Sequence, residues 1–287
     1  MVGRGELTEQ AWAQLAPLLP ANGGRGGQWH DHRTVINGML WRLRTGAPWR
    51  DLPARYGPWQ TCYDRFVRWR RDGPWDRLLT HVQTRSDAVG ATDWEVSIDS
   101  TVTRAHQQAA GARRCPSRAD KKGLQHPPDE ALGRSRGGVT TKLHLSCDGQ
   151  GRPLSLVLTA GQRHESTQLE AVLDGIRVPR PGRGRPRTRP AHLLADRGYS
   201  YPRCRRLLRR RGIAHTIPER RDQRQQRATR PGRSLPFDAE RYKGRNIVER
   251  CVNRLKQWRC VATRYDKRAV NYRASVVIVS LMLWLNE

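Results

Sequence analysis

The sequence lacks the features of secreted, membrane-spanning and zinc-binding proteins. Its six cysteines are scattered, and no two of them are separated by only two residues. This spacing argues against disulfides and a zinc site, and it fits a reducing cytosol. The N-terminus has no apolar signal region, and the longest apolar run, Val276 to Leu285, is about half of the roughly 20 residues that span a bilayer. We therefore expect a cytoplasmic protein without a membrane partner.

Nucleotide-binding loops and acidic residues are also scarce. No glycine-rich phosphate loop follows a predicted strand, so no nucleotide cofactor is expected. Only 26 Asp and Glu stand against 54 Lys and Arg, which gives a formal charge of +28. Such an imbalance costs self-repulsion in a compact chain and makes sense if a polyanion is the partner. Most of the basic residues are arginines, whose planar guanidinium suits phosphate, so nucleic acid is the leading candidate for the partner. An acidic membrane surface is the second choice.

Residues 1–88 predict a small all-α domain. They hold most of the ten tryptophans, which indicates a separate small core. A helix over residues 59–71 is predicted to turn a basic face outward. The arginines on that face are Arg65, Arg68, Arg70 and Arg71. This pattern suggests a helix-turn-helix-like DNA-binding module, although a packing module with a solvated basic face would look the same.

Residues 89–287 predict an α/β domain with a mixed sheet, because strand-like and helix-like segments alternate along the chain. The predicted strands are 93–99, 139–146, 153–159, 191–196 and 213–217. Two polar, basic segments, 103–138 and 219–234, are predicted to be loops. A last helix is predicted near the C-terminus.

An Arg-, Pro- and Gly-rich linker over residues 179–190 contains Gly-Arg-Gly-Arg-Pro at 182–186. Arg183 and Arg185 in this motif could enter a narrow minor groove, as in an AT-hook. A solvated linker without DNA contacts explains the same residues, and this simpler interpretation is preferred.

Three acids stand at positions that could meet at one edge of the sheet. Asp99 and Asp196 each end a predicted strand, and Glu249 lies on a predicted helix. Sites in open α/β sheets gather at the carboxyl ends of strands. Three carboxylates in one place repel each other unless cations lie between them, and Mg²⁺ or Mn²⁺ prefer such oxygen ligands. Two such ions could clamp a phosphodiester. Spacing alone does not exclude other acids: Asp93, Asp148, Asp238, Glu240 and Asp266.

The helix predicted over residues 242–256 carries a polar row. At about 100° per residue, Tyr242, Arg245, Glu249 and Lys256 fall on one face. The row could be a solvated face with charge pairs four residues apart, or part of a site.

The same row resembles the Y-R-E-K signature of the DDE transposases of bacterial insertion sequences. Residues 98–101 (Ile-Asp-Ser-Thr) resemble the first catalytic block of these enzymes, and residues 194–199 (Leu-Ala-Asp-Arg-Gly-Tyr) resemble the second. Residues 46–53 and 57–61 resemble their N-terminal module. The chain is identified as a member of the "IS five" family, within the "IS four" superfamily.

The resemblance implies a ribonuclease-H-like catalytic domain after residue 88. It implies a catalytic and metal-binding triad of Asp99, Asp196 and Glu249, with Mg²⁺ or Mn²⁺ as cofactor and two ions expected. Three accessory residues are implied to hold DNA phosphates near the cut: Tyr242, Arg245 and Lys256. His106 and His164 lie near the predicted site loops, and a structural or phosphate-contact role is preferred for both.

The implied activity is cleavage of double-stranded DNA at the ends of an insertion sequence and strand transfer into target DNA, by a homodimer assembled on DNA. Two alternatives stay open. One is a DNA-binding repressor or inactive remnant without catalysis, and the other is a ribonuclease-H-like nuclease that cuts without joining.

Overall fold

The structure is a computed structural model that describes residues 5–21, 28–111, 130–135, 137–229 and 237–285. Parts of the two predicted loops, residues 112–129, 136 and 230–236, lie outside the described residues. Within the described part, no helix is both long and apolar enough to cross a membrane.

Four α-helices precede the first strand. They are α1 (Glu9–Leu15), α2 (His32–Thr45), α3 (Trp59–Asp72) and α4 (Pro74–Ala88). Local chemistry sets their ends. The Thr8 side chain accepts a hydrogen bond from the backbone N–H of Ala11, and Asp31 caps α2 in the same way. Helix α2 ends at Gly46, which has a φ of 75° in the left-handed region that glycine adopts without strain. No strand occurs in the described part of residues 5–88.

A mixed sheet forms the centre of the remaining chain. Its strands are β1 (Glu95–Ala105), β2 (Gly133–Ser135), β3 (Gly138–Cys147), β4 (Pro153–Ala160), β5 (His192–Ala195), β6 (Ala214–Thr216) and β7 (Thr263–Arg264). The order is β2-β3-β1-β5-β6, with β4 paired to β3 and β7 paired to β1. β1 is antiparallel to β3 and parallel to β5, and β5 is parallel to β6. The predicted mixed α/β architecture is confirmed.

Helices cover the sheet on both faces. They are α5 (Gln107–Ala110), α6 (Leu169–Asp174), α7 (Pro202–Arg210), α8 (Arg221–Ala228), α9 (Ala239–Lys243), α10 (Asn246–Lys256), α11 (Arg259–Ala262) and α12 (Ala269–Leu285). Five consecutive residues at the end of β3, Leu143 to Cys147, are all buried. Because side chains alternate between the faces of a strand, this run shows that both faces of the sheet are covered there.

Four local predictions are wrong. The segment predicted as a loop over residues 103–138 contains the end of β1, the short helix α5 and β2. β1 does not end at Asp99 but continues to Ala105, because its second half pairs with β3 through Arg104↔Thr140. The segment predicted as a loop after Glu219 contains α8, which is exposed and therefore shows no apolar period. The helix predicted over residues 242–256 is two helices, α9 and α10, interrupted at Gly244 and Arg245, where glycine weakens helix formation.

The N-terminal helices share their core with the rest of the chain. α4 packs along α12, and Arg273 of α12 forms an ion pair with Asp76 of α4 at 2.7 Å. The buried side chains of α1 to α4 belong to one cluster with those of the sheet and α12. The expectation of a separate small core is therefore wrong, and the domain boundary at residue 88 stays a prediction.

Candidate active site

Asp99 and Asp196 lie side by side in the centre of the sheet. β1 and β5 run parallel, with Ile98 opposite Ala195. Asp99 directly follows Ile98, and Asp196 directly follows Ala195. Asp196 follows the end of β5, where its Oδ1 accepts a hydrogen bond from the backbone N–H of Gly198 at 2.9 Å. Asp99 lies within β1, and its Oδ1 accepts a hydrogen bond from the backbone N–H of Ser100 at 2.7 Å.

Arg245 connects this pair to the third predicted acid. Its Nη1 lies 3.4 Å from Asp99 Oδ2, and its Nη2 donates to Glu249 Oε1, one turn further along α10. Val248, Cys251 and Leu255 on the adjoining side of α10 are buried. Burial of this apolar side keeps the Arg245 and Glu249 side chains turned towards β1. The structure thus brings Asp99, Asp196, Arg245 and Glu249 into one region.

Burial makes charge on the two aspartates unfavourable. Loss of hydration, together with the charges of Asp196 and Glu165, raises the pKa of Asp99 to about 6, although Ser100 and Arg245 oppose the shift. Burial and then the charge of Glu165 raise the pKa of Asp196 as well. Burial and the neighbouring carboxylates thus disfavour charge on both aspartates, and a bound cation would offset this cost.

The other members of the predicted polar row also reach this region. The Arg245 guanidinium lies 5.8 Å from the ring centroid of Tyr242, and burial raises the pKa of the Tyr242 phenol. Lys256 donates from Nζ to the backbone oxygen of Val102 at 3.3 Å, and burial lowers the pKa of its ammonium. Both side chains are half-buried, so a phosphate could reach them from solvent.

The donor set of the site fits divalent cations by its chemistry. Its ligands are carboxylate oxygens, which Mg²⁺ and Mn²⁺ prefer. Among the described residues, no three His, Cys, Asp or Glu side chains already converge as a metal-binding group. Arg245 instead lies between Asp99 and Glu249 and supplies positive charge to both. The Arg245 guanidinium thus occupies one carboxylate oxygen of each residue, Asp99 Oδ2 and Glu249 Oε1.

Two further residues of this region are not predicted from the sequence. Glu165 follows β4 and lies close enough to Asp99 and Asp196 to raise the pKa of both. Tyr199 is fully buried, and its phenol oxygen has no hydrogen-bond partner within the described part of the chain. A signal for Glu165 exists in the topology: β4 runs in the direction of β1, because both are antiparallel to β3, and leaves the sheet at the same edge.

The predicted basic face of α3 is only partly exposed. Arg65 is buried, and the prediction that it faces solvent is wrong. Its guanidinium is 2.7 Å from His32 Nδ1 and lies over the ring of Trp29 at 4.4 Å, so partners from other segments satisfy it. Arg70 donates to Asn271 at 2.7 Å. Two arginines of α3 stay exposed: Arg68 and Arg71.

Among the remaining predicted residues, His164 lies close enough to Asp196 for its charge to lower the pKa of that acid. Arg183 and Arg185 are exposed in the linker. His106 caps α5 and lies against the ring of Tyr265. His164 caps the short 3-10 turn Glu165–Thr167 by accepting from the backbone of Ser166.

The alternative acids have other partners. Asp148 is buried and paired with Arg152 at 2.6 Å. Asp266 is buried beside Arg42 at 3.5 Å, and Asp238 caps α9. These contacts separate them from the pair of Asp99 and Asp196.

Two family models together match most of the chain. One, described as "Transposase DDE domain", matches residues 90–285. The chain belongs to this family. The other, described as "Putative transposase of IS4/5 family", matches residues 7–79. The protein is therefore a DDE transposase of the IS4/5 type, and the general activity of such transposases is metal-dependent DNA cleavage and strand transfer.

Individual relatives agree with this assignment. The chain is 38% identical over 136 residues to a "Putative transposase for insertion sequence element IS402" of Burkholderia cepacia. The aligned region covers 47% of this chain and 57% of the relative. It is 29% identical over 149 residues to a "Putative transposase for insertion sequence element IS6501" of Brucella ovis, which covers 51% of this chain and 99% of the relative. A Sinorhizobium fredii protein called "Uncharacterized protein y4sN" is 36% identical over 109 residues, 38% of this chain and 83% of the relative. No solved structure matches the chain.

Proposed function

We propose that this transposase cleaves and joins DNA with a catalytic triad of Asp99, Asp196 and Glu249. The observation that carries the proposal is the position of the two aspartates on neighbouring parallel strands, with Arg245 joining Asp99 to Glu249. The three carboxylates would hold Mg²⁺ or Mn²⁺, two ions in all. When bound, such ions activate the attacking hydroxyl and stabilise both oxygens of a phosphodiester displacement.

Arg245 and Lys256 bind the phosphate in this proposal. Arg245 contacts the carboxylates through two different nitrogens, so the same fork can bind a phosphate in two-point geometry. Lys256 is held against the carbonyl of Val102, three residues beyond Asp99 on the same strand. Positive charge fixed there stabilises the charge that develops on the phosphate oxygens. Tyr242 lies beside Arg245 and positions it.

The substrate is double-stranded DNA, both the ends of the element and the target, at the bacterial nucleoid. We assign the catalytic domain to residues 89–287 with a ribonuclease-H-like fold, which the hairpin of β3 and β4 and the parallel β5 and β6 support. Residues 1–88 form the DNA-binding module, with Arg68 and Arg71 as its exposed candidates. The active assembly is a homodimer that brings two ends together.

The test is cleavage of a DNA fragment that carries the terminal sequences of the protein's own element, with Mg²⁺. We expect Asp99→Asn, Asp196→Asn and Glu249→Gln each to lower the rate at least ~100-fold, because each removes a carboxylate that would hold the divalent cations. Glu240→Gln is the matched control, since Glu240 is exposed on α9 and pairs with Lys243 at the surface. Normal cutting by all three triad variants would refute the assignment.

An assay of strand transfer distinguishes this proposal from its alternatives. The wild type should transfer the cut 3′ end into a supercoiled plasmid, whereas a nuclease without joining would release cut ends only. A repressor or inactive remnant would shift the same DNA in a gel without nicking it in Mg²⁺ or Mn²⁺.

A further inference from the structure

Glu165 holds a fourth carboxylate at the edge of the proposed active site. It begins the 3-10 turn Glu165–Thr167 just after β4. Its Oε2 accepts a hydrogen bond from the Ser100 hydroxyl at 3.3 Å and lies 3.2 Å from Nζ of Lys142 on β3. Ser100 is the residue after Asp99. Glu165 is thus anchored to β1 and β3 close to the first predicted catalytic acid.

Gly198 brings Glu165 and Asp196 to a common point. A Cβ atom built on Gly198 would collide with Glu165 Oε1 and would lie 3.0 Å from Asp196 Oδ1. Two carboxylate oxygens therefore face the same small space, which only glycine leaves open. Oxygens that border one space from two sides are the arrangement in which a divalent cation is shared between carboxylates.

Tyr199 supplies an independent observation at the same place. Its side chain is 0% exposed, and its hydroxyl has no hydrogen-bond partner among the described residues. The charges of Asp99, Glu165 and Asp196 all act on this phenol. A buried hydroxyl without a partner is unfavourable, because it has lost its hydrogen bonds to water. An oxygen ligand held between these three carboxylates, such as water or a phosphate oxygen, would give the hydroxyl its partner.

The carboxylates of the region outnumber the cations that form ion pairs with them. Among the described residues, two cations, Lys142 and Arg245, form ion pairs with three of the four carboxylates of the region, those of Glu165, Asp99 and Glu249, and the fourth carboxylate is that of Asp196. Lys142 neutralises Glu165, and Arg245 is shared between Asp99 and Glu249. Two divalent cations would balance four carboxylates and leave the ammonium and the guanidinium free for phosphate.

We propose that Glu165 is a metal ligand of this transposase and binds one divalent cation together with Asp99 and Asp196. The proposal rests on the proposed triad and adds a fourth carboxylate to it. Lys142 occupies Oε2 of Glu165, so the ammonium and the metal ion compete for the same carboxylate. The competition gives the proposal a signature that a purely structural role of Glu165 would not produce.

The test is Mn²⁺ binding to the full-length protein without DNA, followed by electron paramagnetic resonance of free Mn²⁺ at pH 7.5. Loss of a residue around a bound metal costs roughly 10–100-fold in affinity, so Glu165→Gln should weaken Mn²⁺ binding at least about tenfold. Glu170→Gln is the matched control, because Glu170 lies five residues further on and pairs with Arg211 at the surface. Lys142→Met should tighten Mn²⁺ binding, because it removes the competing cation.

Wild-type Mn²⁺ affinity in Glu165→Gln, or weaker binding in Lys142→Met, would overturn the proposal. If Glu165→Gln does not fold, Glu165→Asp decides in its place, since a shortened carboxylate should bind Mn²⁺ measurably more weakly than the wild type. Asp99→Asn and Asp196→Asn distinguish a failure of the fourth ligand from a failure of the proposed triad. If they abolish Mn²⁺ binding while Glu165→Gln does not weaken it, only the fourth ligand is wrong. If neither aspartate matters, the proposed triad itself fails.

Discussion

Replacing Asp99 by Asn should stabilise the metal-free protein while it abolishes cleavage. Burial, then the charges of Asp196 and Glu165, raise the pKa of Asp99 from 3.8 to about 6. Its side chain is 24% exposed, so solvent screens it only in part. A pKa difference of about two, at about 1.4 kcal/mol for each pKa unit, corresponds to roughly 2–3 kcal/mol. Ionised Asp99 therefore lowers the free energy of unfolding by that amount at neutral pH.

The pH dependence fixes the sign of this effect. Below about pH 4, Asp99 is protonated in both the folded and the unfolded protein, and its contribution is fully favourable. Between pH 4 and 6 the unfolded chain ionises while the folded protein keeps the proton, so stability is lost as the pH rises through the folded pKa. The Asp99→Asn variant has no ionisable carboxyl group at this position, so this pH-dependent loss of stability is absent. We expect it to be more stable than the wild type at pH 7.5 and no more stable near pH 4.

The measurement is thermal unfolding in EDTA from pH 4 to 8, followed by circular dichroism. A gain of 2–3 kcal/mol in a protein of this size should raise Tm by roughly 5 °C or more at pH 7.5. Glu240→Gln, on the exposed part of α9, should not change Tm. Adding Mg²⁺ should stabilise the wild type and leave Asp99→Asn unchanged. A Tm of Asp99→Asn at or below that of the wild type at pH 7.5 would refute the reasoning.

Three further predictions concern the rest of the chain. Arg264→Met should lower the free energy of unfolding by about 3–5 kcal/mol, because the fully buried guanidinium donates to several backbone carbonyls. The control is Arg268→Met at an exposed position, which should change it little, and similar thermal melts for both variants would contradict the prediction. Gly38→Ala should cost about 1–3 kcal/mol, since its Cβ would lie 2.9 Å from Tyr56 Cβ, and Gly111→Ala, with ordinary contacts, serves as control in the same urea titration. Affinity for arbitrary duplex DNA should fall at least tenfold between about 50 and 200 mM salt in a filter-binding assay, and a flat response would exclude an interface made by arginines.

Much of the catalytic half could be predicted because its signals are local. The hairpin of β3 and β4 is visible in two β-rich segments around Asp148–Gly151, and the apolar side of α10 has a clear helical period. Asp196 was predictable as the end of a short apolar strand. In each case neighbouring residues carry the pattern and no distant partner is needed.

The failures share the opposite cause, since distant residues decide them. β1 extends beyond Asp99 because β3 provides a partner some forty residues later. Arg65 is buried because His32 and Trp29, outside α3, satisfy its guanidinium. Glu165 stands in a polar turn without any local pattern, and only the pairing of β4 with β3 shows that it leaves the sheet beside Asp99.

The packing of α4 against α12 ties the two halves of the transposase together. The last helix is buried from Tyr272 almost to its end, and Trp284 donates from Nε1 to the carbonyl of Pro153 at 2.8 Å. A fragment that begins after residue 88 would uncover the apolar flank of this helix and tend to aggregate. The N-terminal helices therefore cannot be exchanged for an unrelated domain without exposing this face of α12. Any domain that replaces the N-terminal helices must also cover the apolar face of α12.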